Sequence, residues 1–187
     1  YKIVDLPGTY SLLATSTDEE VARDFILFGR PDVTIVVADA TRLERNLNLV
    51  LQVLEITDRA IVCVNLMDEA ERNGIEVDSR TLSRDLGVPV VATAARNGKG
   101  LPQLLEAIRD IASGSLTTQP YRLRVEDAKL QKALGRLVPQ IQELYPDLPN
   151  PRWVALRLLE DDPTIVESLR NGELGLITDG YQAAEQL

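Results

Sequence analysis

Apolar residues change their spacing several times along this chain, and the spacing predicts which segments form strands. Three short runs are almost continuously apolar, at Val33–Ala38, Ala60–Val64 and Val88–Ala92. Runs of this kind are typical of parallel strands that are buried on both faces of a sheet. The opening residues Tyr1–Val4 have a similar character and predict a further strand at the start of the chain.

The segments between these runs have the apolar spacing of helices. An apolar helix face is formed by Leu43, Leu47, Val50, Leu51 and Leu54. Capping residues and glycine stops predict further helices at 17–28, 79–86 and 101–111. Because strands that alternate with helices at these lengths form βαβ units, we expect an α/β fold, a parallel sheet with helices on both faces.

The alternation of strands and helices stops in a polar linker between Ser113 and Pro120. Beyond the linker the pattern is helical, with helices predicted at 125–145, 151–159 and 164–171. We therefore expect two domains, an α/β domain over residues 1–118 and a small all-α domain over residues 119–187.

Composition excludes several kinds of chemistry. The 187 residues have a formal net charge of −9, which argues against nucleic acid as a partner. The chain has no histidine, so histidine metal sites and Ser-His-Asp triads are excluded. Its one cysteine, Cys63, lies in an apolar run and has no partner for an intrachain disulfide. No apolar segment approaches the roughly 20 residues of a transmembrane helix, and we expect the chain to be soluble.

Three loops that follow predicted strands carry the candidate chemistry. They are Asp5-Leu6-Pro7-Gly8, Asn65-Leu66-Met67-Asp68 and Thr93-Ala94-Ala95-Arg96. Ligands of an open parallel sheet bind beyond the carboxyl ends of its strands, so these loops are expected along one rim.

The first loop has the residues for a metal and a phosphate. Asp5 can hold Mg²⁺, directly or through water, and the metal would neutralise phosphate charge. Gly8 allows a backbone N–H to approach a terminal phosphate, because no side chain is in the way.

The second and third loops have the residues for a guanine base. The Asp68 carboxylate can accept from the ring N1–H and the exocyclic amine together, which adenine does not offer. Asn65 would brace the neighbouring loops, and the backbone N–H of Ala95 could donate to the guanine O6. Together, and in this order, the three loops indicate a guanine-nucleotide-binding protein. The flanking residues predicted to line the nucleotide are Met67, Ala94 and Arg96.

Three stretches give a more specific resemblance. DLPGTYSL at Asp5–Leu12, NLMDEAERNGI at Asn65–Ile75 and RWVALRLLEDD at Arg152–Asp162 resemble the cytoplasmic N-terminal region of the bacterial ferrous iron transport protein B (FeoB) family. The resemblance covers essentially the whole chain. It implies a P-loop GTPase-like domain followed by a helical, inhibitor-like spacer.

The resemblance also implies a function. A protein of this family would bind GTP and GDP with Mg²⁺, and K⁺ or a similar monovalent cation would be an activating ion. GTP hydrolysis would be coupled to Fe²⁺ uptake through a transmembrane permease part of the same protein. The chain would lie at the cytoplasmic face of the bacterial inner membrane, and a homo-oligomer is compatible with the resemblance.

Two residues depart from the usual GTPase pattern. Leu66 stands where many GTPases have a lysine that packs on the base, which predicts weaker guanine affinity and faster nucleotide release. Thr9 follows Gly8 where Ras-like enzymes have a water-positioning glutamine, which predicts slow hydrolysis. The resemblance places Tyr10, with Gly8 and Thr9, in the second switch, and no catalytic residue is assigned.

A phosphate-binding loop of the form G-x-x-x-x-G-K-[ST] does not occur in the sequence. The nearest approach, Asn97-Gly98-Lys99-Gly100, lacks the leading glycine and the Ser/Thr. Because the chain opens on Tyr1 without a methionine, we expect the phosphate loop and the first switch upstream, in an N-terminally truncated GTPase domain.

Two alternatives stay open from the sequence. The chain could be a non-catalytic interaction or oligomerisation fragment that binds no nucleotide. It could also belong to a ribosome-associated GTPase, although the net charge of −9 disfavours RNA binding.

Overall fold

The structure of the chain, a computed structural model, describes residues 2–12, 16–122, 127–146, 148 and 150–171. The helices and strands of the described residues are, in order, α1 (Thr17–Phe28), β1 (Thr34–Asp39), α2 (Leu43–Ile56), β2 (Ala60–Asn65), α3 (Met67–Arg72), α4 (Ser79–Leu86), β3 (Val90–Ala92), α5 (Leu101–Ala112), α6 (Ala128–Leu144), α7 (Pro151–Leu159) and α8 (Pro163–Arg170). Short 3₁₀ turns follow β1 at Ala40–Arg42 and β3 at Ala95–Asn97.

The described residues form two compact units. The first comprises those among residues 2–23 and 31–122, and the second comprises residues 24–30 and the described residues from 127 onward. The second unit thus includes part of α1, which the sequence division assigned to the first domain. The boundary near residue 118 stays a prediction.

The first unit is built on a parallel sheet with the strand order β1-β2-β3. Asp39 at the end of β1 is in register with Asn65 at the end of β2, and Val64 is in register with Ala92 at the end of β3. The carboxyl ends of all three strands therefore meet at one edge. Within β2, Ala60–Val64 is buried throughout, as expected for a central strand that is covered on both faces.

Helices pack on this sheet as the apolar pattern predicts. Helix α2 contacts β1 and β2 through a buried face that includes Val50 and Leu54, α4 contacts β3, and α5 contacts β2. These contacts and the parallel pairing confirm the predicted α/β fold class.

The strand predicted at the start of the chain is wrong for the residues described there. Lys2, Ile3 and Val4 have no regular secondary structure, and Tyr1 lies outside the described residues. Ile3 is 90% exposed and Val4 is 47% exposed. An apolar segment becomes a strand only when a neighbour supplies hydrogen-bond partners, and these residues pair with none of the three described strands. The loop Asp5–Gly8 consequently does not follow a strand in this structure.

Helix α4 illustrates how polar caps set the helix ends. The Asp78 carboxylate accepts hydrogen bonds from the backbone N–H groups of Arg80 at 3.1 Å and Thr81 at 3.0 Å. The Thr81 backbone N–H and hydroxyl lower the pKa of Asp78 below its ordinary value. Because the folded-state pKa is depressed, the cap stabilises the fold at neutral pH, and this contribution disappears as the pH falls through the lowered pKa.

The second unit is helical, and each helix of its 127–171 part has a capped start. Asp127 caps α6, Asn150 caps α7 and Asp162 caps α8, each by accepting backbone N–H hydrogen bonds. Helix α7 packs against both α6 and α8. The apolar core of this unit includes Leu134, Ile141, Trp153, Val154, Ala155 and Ile165.

Asp161→Gly should stabilise the second unit. Asp161 follows Glu160, the C-cap of α7, and lies in the left-handed region with φ of +54°, where a side chain is strained and glycine is not. We expect a gain of about 0.5–1 kcal/mol in the free energy of unfolding. Urea unfolding, monitored by the fluorescence of Trp153, the one tryptophan of the chain, measures this gain in stability. Asp161→Ala keeps the strain and is the control, and an equal effect of both substitutions would contradict the explanation.

Candidate functional site

The loops that leave β2 and β3 are joined by their backbones. The Met67 N–H donates to the Thr93 carbonyl at 3.1 Å, and the Thr93 N–H donates to the Val64 carbonyl at 2.8 Å. These bonds continue the β2–β3 pairing past the strand ends. The two loops predicted to read a base are therefore held side by side at the carboxyl edge of the sheet.

Asn65 is fixed by two donors from the neighbouring loop. Its Oδ1 accepts from the Thr93 hydroxyl at 3.1 Å and from the Ala95 backbone N–H at 3.0 Å. Since both donors face Oδ1, the amide Nδ2 is directed away from them and keeps its hydrogens for another acceptor. Asn65 thus braces the neighbouring loop as predicted. The Ala95 N–H, predicted to donate to a guanine, is here engaged by Asn65.

Thr93 is a residue whose role sequence reasoning missed. It is fully buried, and its hydroxyl lies 3.3 Å from the Cys63 sulfur as well as 3.1 Å from Asn65 Oδ1. A hydroxyl in the loop after a buried strand was the available signal, but the pairing with Asn65 depends on the register of β2 and β3. The thiol of Cys63 is buried within this arrangement.

Leu66 turns the chain sharply from β2 into α3. Its backbone has φ of +64° and ψ of 31°, in the left-handed region where a bulky side chain is an outlier. Such strain is concentrated at functional loops. The turn starts α3, which the sequence did not predict because six residues are too few for a helical period. Helix α3 places Asp68 in its first turn.

The Asp68 carboxylate is the most heavily contacted of the predicted base-reading groups. Its Oδ2 accepts from Arg96 Nη2 at 3.2 Å and lies 3.5 Å from Asn97 Nδ2. Arg72 Nη2 is 4.0 Å from the same oxygen. The Asp68 side chain is one-quarter exposed. The Asp68 carboxylate is therefore oriented by cations and still accessible to a ligand.

The predicted switch residues 8–10 and the two residues after them, together called the switch segment, are held on α2. The Leu12 N–H donates to Gln52 Oε1 at 2.6 Å, and the Ser11 hydroxyl donates to the same oxygen at 3.2 Å. The Arg45 guanidinium stacks 4.4 Å from the centre of the Tyr10 ring. The Thr9 hydroxyl bonds to the Ser11 carbonyl within its own loop. Gln52 and Arg45 are two further residues that sequence reasoning missed.

A cavity of about 270 Å³ connects the switch segment with the loop that follows β2. Its lining includes Tyr10, Arg45, Asn65 and Leu66. Asp39 lines the same cavity and caps the 3₁₀ turn after β1 by accepting from the Thr41 N–H at 2.7 Å. A larger cavity of about 560 Å³ lies between the start of α2 and residues 75–85, and it is lined by none of the predicted site residues.

Asp5 and Gly8 are exposed, and Gly8 has open space where a side chain would begin. Among the described residues, no group of three or more cysteines and carboxylates is arranged to hold a metal. A single exposed carboxylate such as Asp5 suits Mg²⁺, which keeps several waters and takes its other ligands from substrate phosphates.

Comparison with known proteins identifies the family. The family model of ferrous iron transport protein B matches residues 1–108. The chain belongs to the FeoB family. A second model, the FeoB cytosolic helical domain, matches residues 127–186. Membership confirms the resemblance carried by the DLPGTYSL, NLMDEAERNGI and RWVALRLLEDD stretches.

The individual FeoB relatives agree with this membership. The Fe(2+) transporter FeoB of Salmonella typhimurium strain LT2 is 40% identical over 168 residues, 86% of this chain and 21% of the relative. The chain thus spans about a fifth of the length of the curated relatives it matches.

Solved structures show the same fold. The cytosolic domain of T. maritima FeoB in its GMPPNP form is 34% identical, with a TM-score of 0.76, over 96% of this chain and 72% of that one. The cytosolic domain of L. pneumophila FeoB is 31% identical, with a TM-score of 0.75, over 94% of this chain and 67% of that one. These similarities support the P-loop GTPase-like fold class with a helical domain after it. None of the helices that the structure describes is long and apolar enough to cross a membrane.

Proposed function

We propose that this chain is the guanine-nucleotide-binding and GTP-hydrolysing region of a FeoB-type ferrous iron transporter. The observation that carries the proposal is the joining of the β2 and β3 exit loops, in which Asn65 is bonded to Ala95 and the Asp68 carboxylate is bonded to Arg96. The T. maritima relative, which has been solved in GDP and GMPPNP forms, supports it.

Three groups of the protein would share the recognition of the base. The Asp68 carboxylate would accept from guanine N1–H and from the exocyclic amine, while the Ala95 N–H would exchange its present acceptor, Asn65 Oδ1, for the guanine O6. Asn65 holds the Ala95 loop against β2 and has an amide Nδ2 left to donate. Adenine lacks both an N1–H and an O6, so this arrangement selects guanine. Leu66 offers no long cationic stem over the base, which favours fast nucleotide release.

The phosphate end of the nucleotide would be sensed by the switch segment. Asp5 would hold Mg²⁺ through water, and the metal would neutralise the charge of the phosphates. The Gly8 N–H is free of side-chain obstruction. Thr9 has its hydroxyl directed at its own loop and does not offer the amide that orients water in Ras-like enzymes. We therefore expect slow GTP hydrolysis. The resemblance to the family adds K⁺ to the proposal as an activating ion.

The remaining parts of the proposal concern the parent protein. Residues 1–118 would be the GTPase domain and residues 119–187 the helical spacer. GTP hydrolysis to GDP and phosphate would be coupled to Fe²⁺ uptake through a transmembrane permease part, at the cytoplasmic face of the bacterial inner membrane. The partners would include further copies of the same chain in a homo-oligomer, but not nucleic acid.

Calorimetric titration of the chain with nucleotide and Mg²⁺ tests the proposal. We expect GDP to bind at least tenfold more tightly than ADP, because only guanine satisfies Asp68 and Ala95 together. Equal affinity for the two nucleotides would contradict base recognition at these loops. An absence of binding at millimolar GDP would instead favour the fragment that binds no nucleotide.

A further inference from the structure

We infer that Arg96 is a positioning residue that aims the Asp68 carboxylate and thereby sets the preference for the exocyclic amino group of guanine. The inference rests on the proposed function and deepens it, since Arg96 would act through Asp68 and not by touching the nucleotide. It names the feature of the ligand, the 2-amino group, whose recognition depends on this arginine.

All the described donors around the carboxylate are on one of its two oxygens. Arg96 Nη2 is 3.2 Å from Asp68 Oδ2, and Asn97 Nδ2 is 3.5 Å from the same atom. A carboxylate has about four lone-pair positions, so the two donors on Oδ2 leave the two positions of Oδ1. Within the described residues, the contacts therefore tether one oxygen and leave room for both guanine donors.

The loop that carries Arg96 is closed on itself. The Ala94 N–H donates to the Lys99 carbonyl at 3.0 Å, and the Asn97 N–H donates back to the Ala94 carbonyl at 2.9 Å. The Gly98 N–H donates to the Ala95 carbonyl at 3.0 Å. Because these bonds fix the backbone of Arg96 relative to Ala95, the ion pair to Asp68 also fixes the distance between the two groups that would bracket the guanine edge.

A competing cation lies on the same helix as Asp68. Arg72 is one turn further along α3 and its Nη2 is 4.0 Å from Asp68 Oδ2. Without Arg96, the carboxylate would be free to turn toward Arg72, away from the Ala95 loop. Arg72 also pairs with Glu69 at 3.7 Å, so it is anchored where it would draw Asp68 along the helix.

Inosine diphosphate isolates the contact. Hypoxanthine keeps the N1–H and O6 of guanine but lacks the 2-amino group. In the unaltered chain, a charge-assisted hydrogen bond from the amino group should give GDP about a tenfold advantage over inosine diphosphate. Arg96→Ala should reduce that advantage to about twofold, mainly by weakening GDP. A structural defect would instead weaken both nucleotides equally.

Three companion measurements make the test specific. Arg96→Lys keeps a cation and a donor and should retain most of the GDP advantage. Arg84→Ala removes an arginine of similar exposure on α4, whose ion-pair partner is Asp85. It should leave the affinities for both nucleotides unchanged. Thermal unfolding of all three variants should match the unaltered chain, because exposed ion pairs contribute little to stability.

The outcomes separate this inference from the proposed function. GDP binding with an unchanged advantage over inosine diphosphate in Arg96→Ala would overturn the role of Arg96 and leave the proposed function intact. Loss of both nucleotides in equal proportion would also overturn it. If the unaltered chain bound neither nucleotide at millimolar concentration, the proposed function would be overturned, and this inference with it.

Discussion

Asp68→Asn is expected to lower the affinity of the chain for GDP by about a hundredfold and to raise its affinity for xanthosine diphosphate. The substitution replaces a carboxylate that, on the proposed function, would accept two charge-assisted hydrogen bonds from guanine by an amide with one acceptor and one donor group. A hundredfold loss corresponds to roughly 2.7 kcal/mol, within the range for hydrogen bonds to a charged group. Xanthine has a carbonyl where guanine has the amine, and the Asn amide can donate to it.

Titration with both nucleotides measures this exchange of specificity. Glu69→Gln is a matched control, because Glu69 is the next acidic residue of α3 and pairs with Arg72. It should leave the affinities for GDP and xanthosine diphosphate unchanged. If Asp68→Asn weakened GDP no more than Glu69→Gln does, and xanthosine diphosphate gained nothing, Asp68 would not be the base-reading carboxylate.

Gly100→Ala should destabilise the first unit by about 2–4 kcal/mol. Gly100 joins the Thr93–Lys99 loop to α5 with φ of +82°, and a Cβ there would overlap the Ala92 carbonyl oxygen and lie 3.0 Å from Thr93 Cα. Backbone atoms of β3 cannot yield without moving the loop that carries Ala95 and Arg96. Nucleotide affinity should therefore fall together with stability.

Gly98→Ala separates the effect of steric crowding on stability from the effect of a left-handed backbone conformation. Gly98 has a similar φ of +72°, but nothing lies within 4 Å of the position its Cβ would take. It should therefore cost only the strain of a left-handed alanine, about 1 kcal/mol. Urea unfolding followed by circular dichroism compares the two variants. An equal loss of stability in both would show that crowding against β3 does not matter.

The sequence predicted those elements whose local pattern and tertiary environment agree. The run Ala60–Val64 is buried on both sides in the structure, and α4 begins and ends where its cap and glycine indicate. The first predicted strand failed because Ile3 and Val4 have strand-like character but no neighbour among the described strands. Strand pairing is a non-local interaction, and apolar character alone does not supply a partner.

The candidate site was also predictable only in part from the sequence. Residue type and order along the chain pointed to Asn65, Asp68 and Ala95, because few side chains can read a guanine edge. The same information did not reveal that Thr93 holds Asn65 or that Gln52 holds the switch segment. Those contacts join residues 28 and about 40 positions apart. They exist only because strand register and helix packing place them together.

The sequence by itself determined the family, the parallel α/β pattern and the chemical types of the base-reading residues, since these depend on residue identity and short-range spacing. The tertiary structure alone decided that Leu66 takes a left-handed turn, that the Ala95 N–H is engaged by Asn65, and that Arg96 is bonded to Asp68. Each of these follows from the parallel pairing of β2 with β3. That pairing brings together two loops whose contacting residues are 28 positions apart in the sequence.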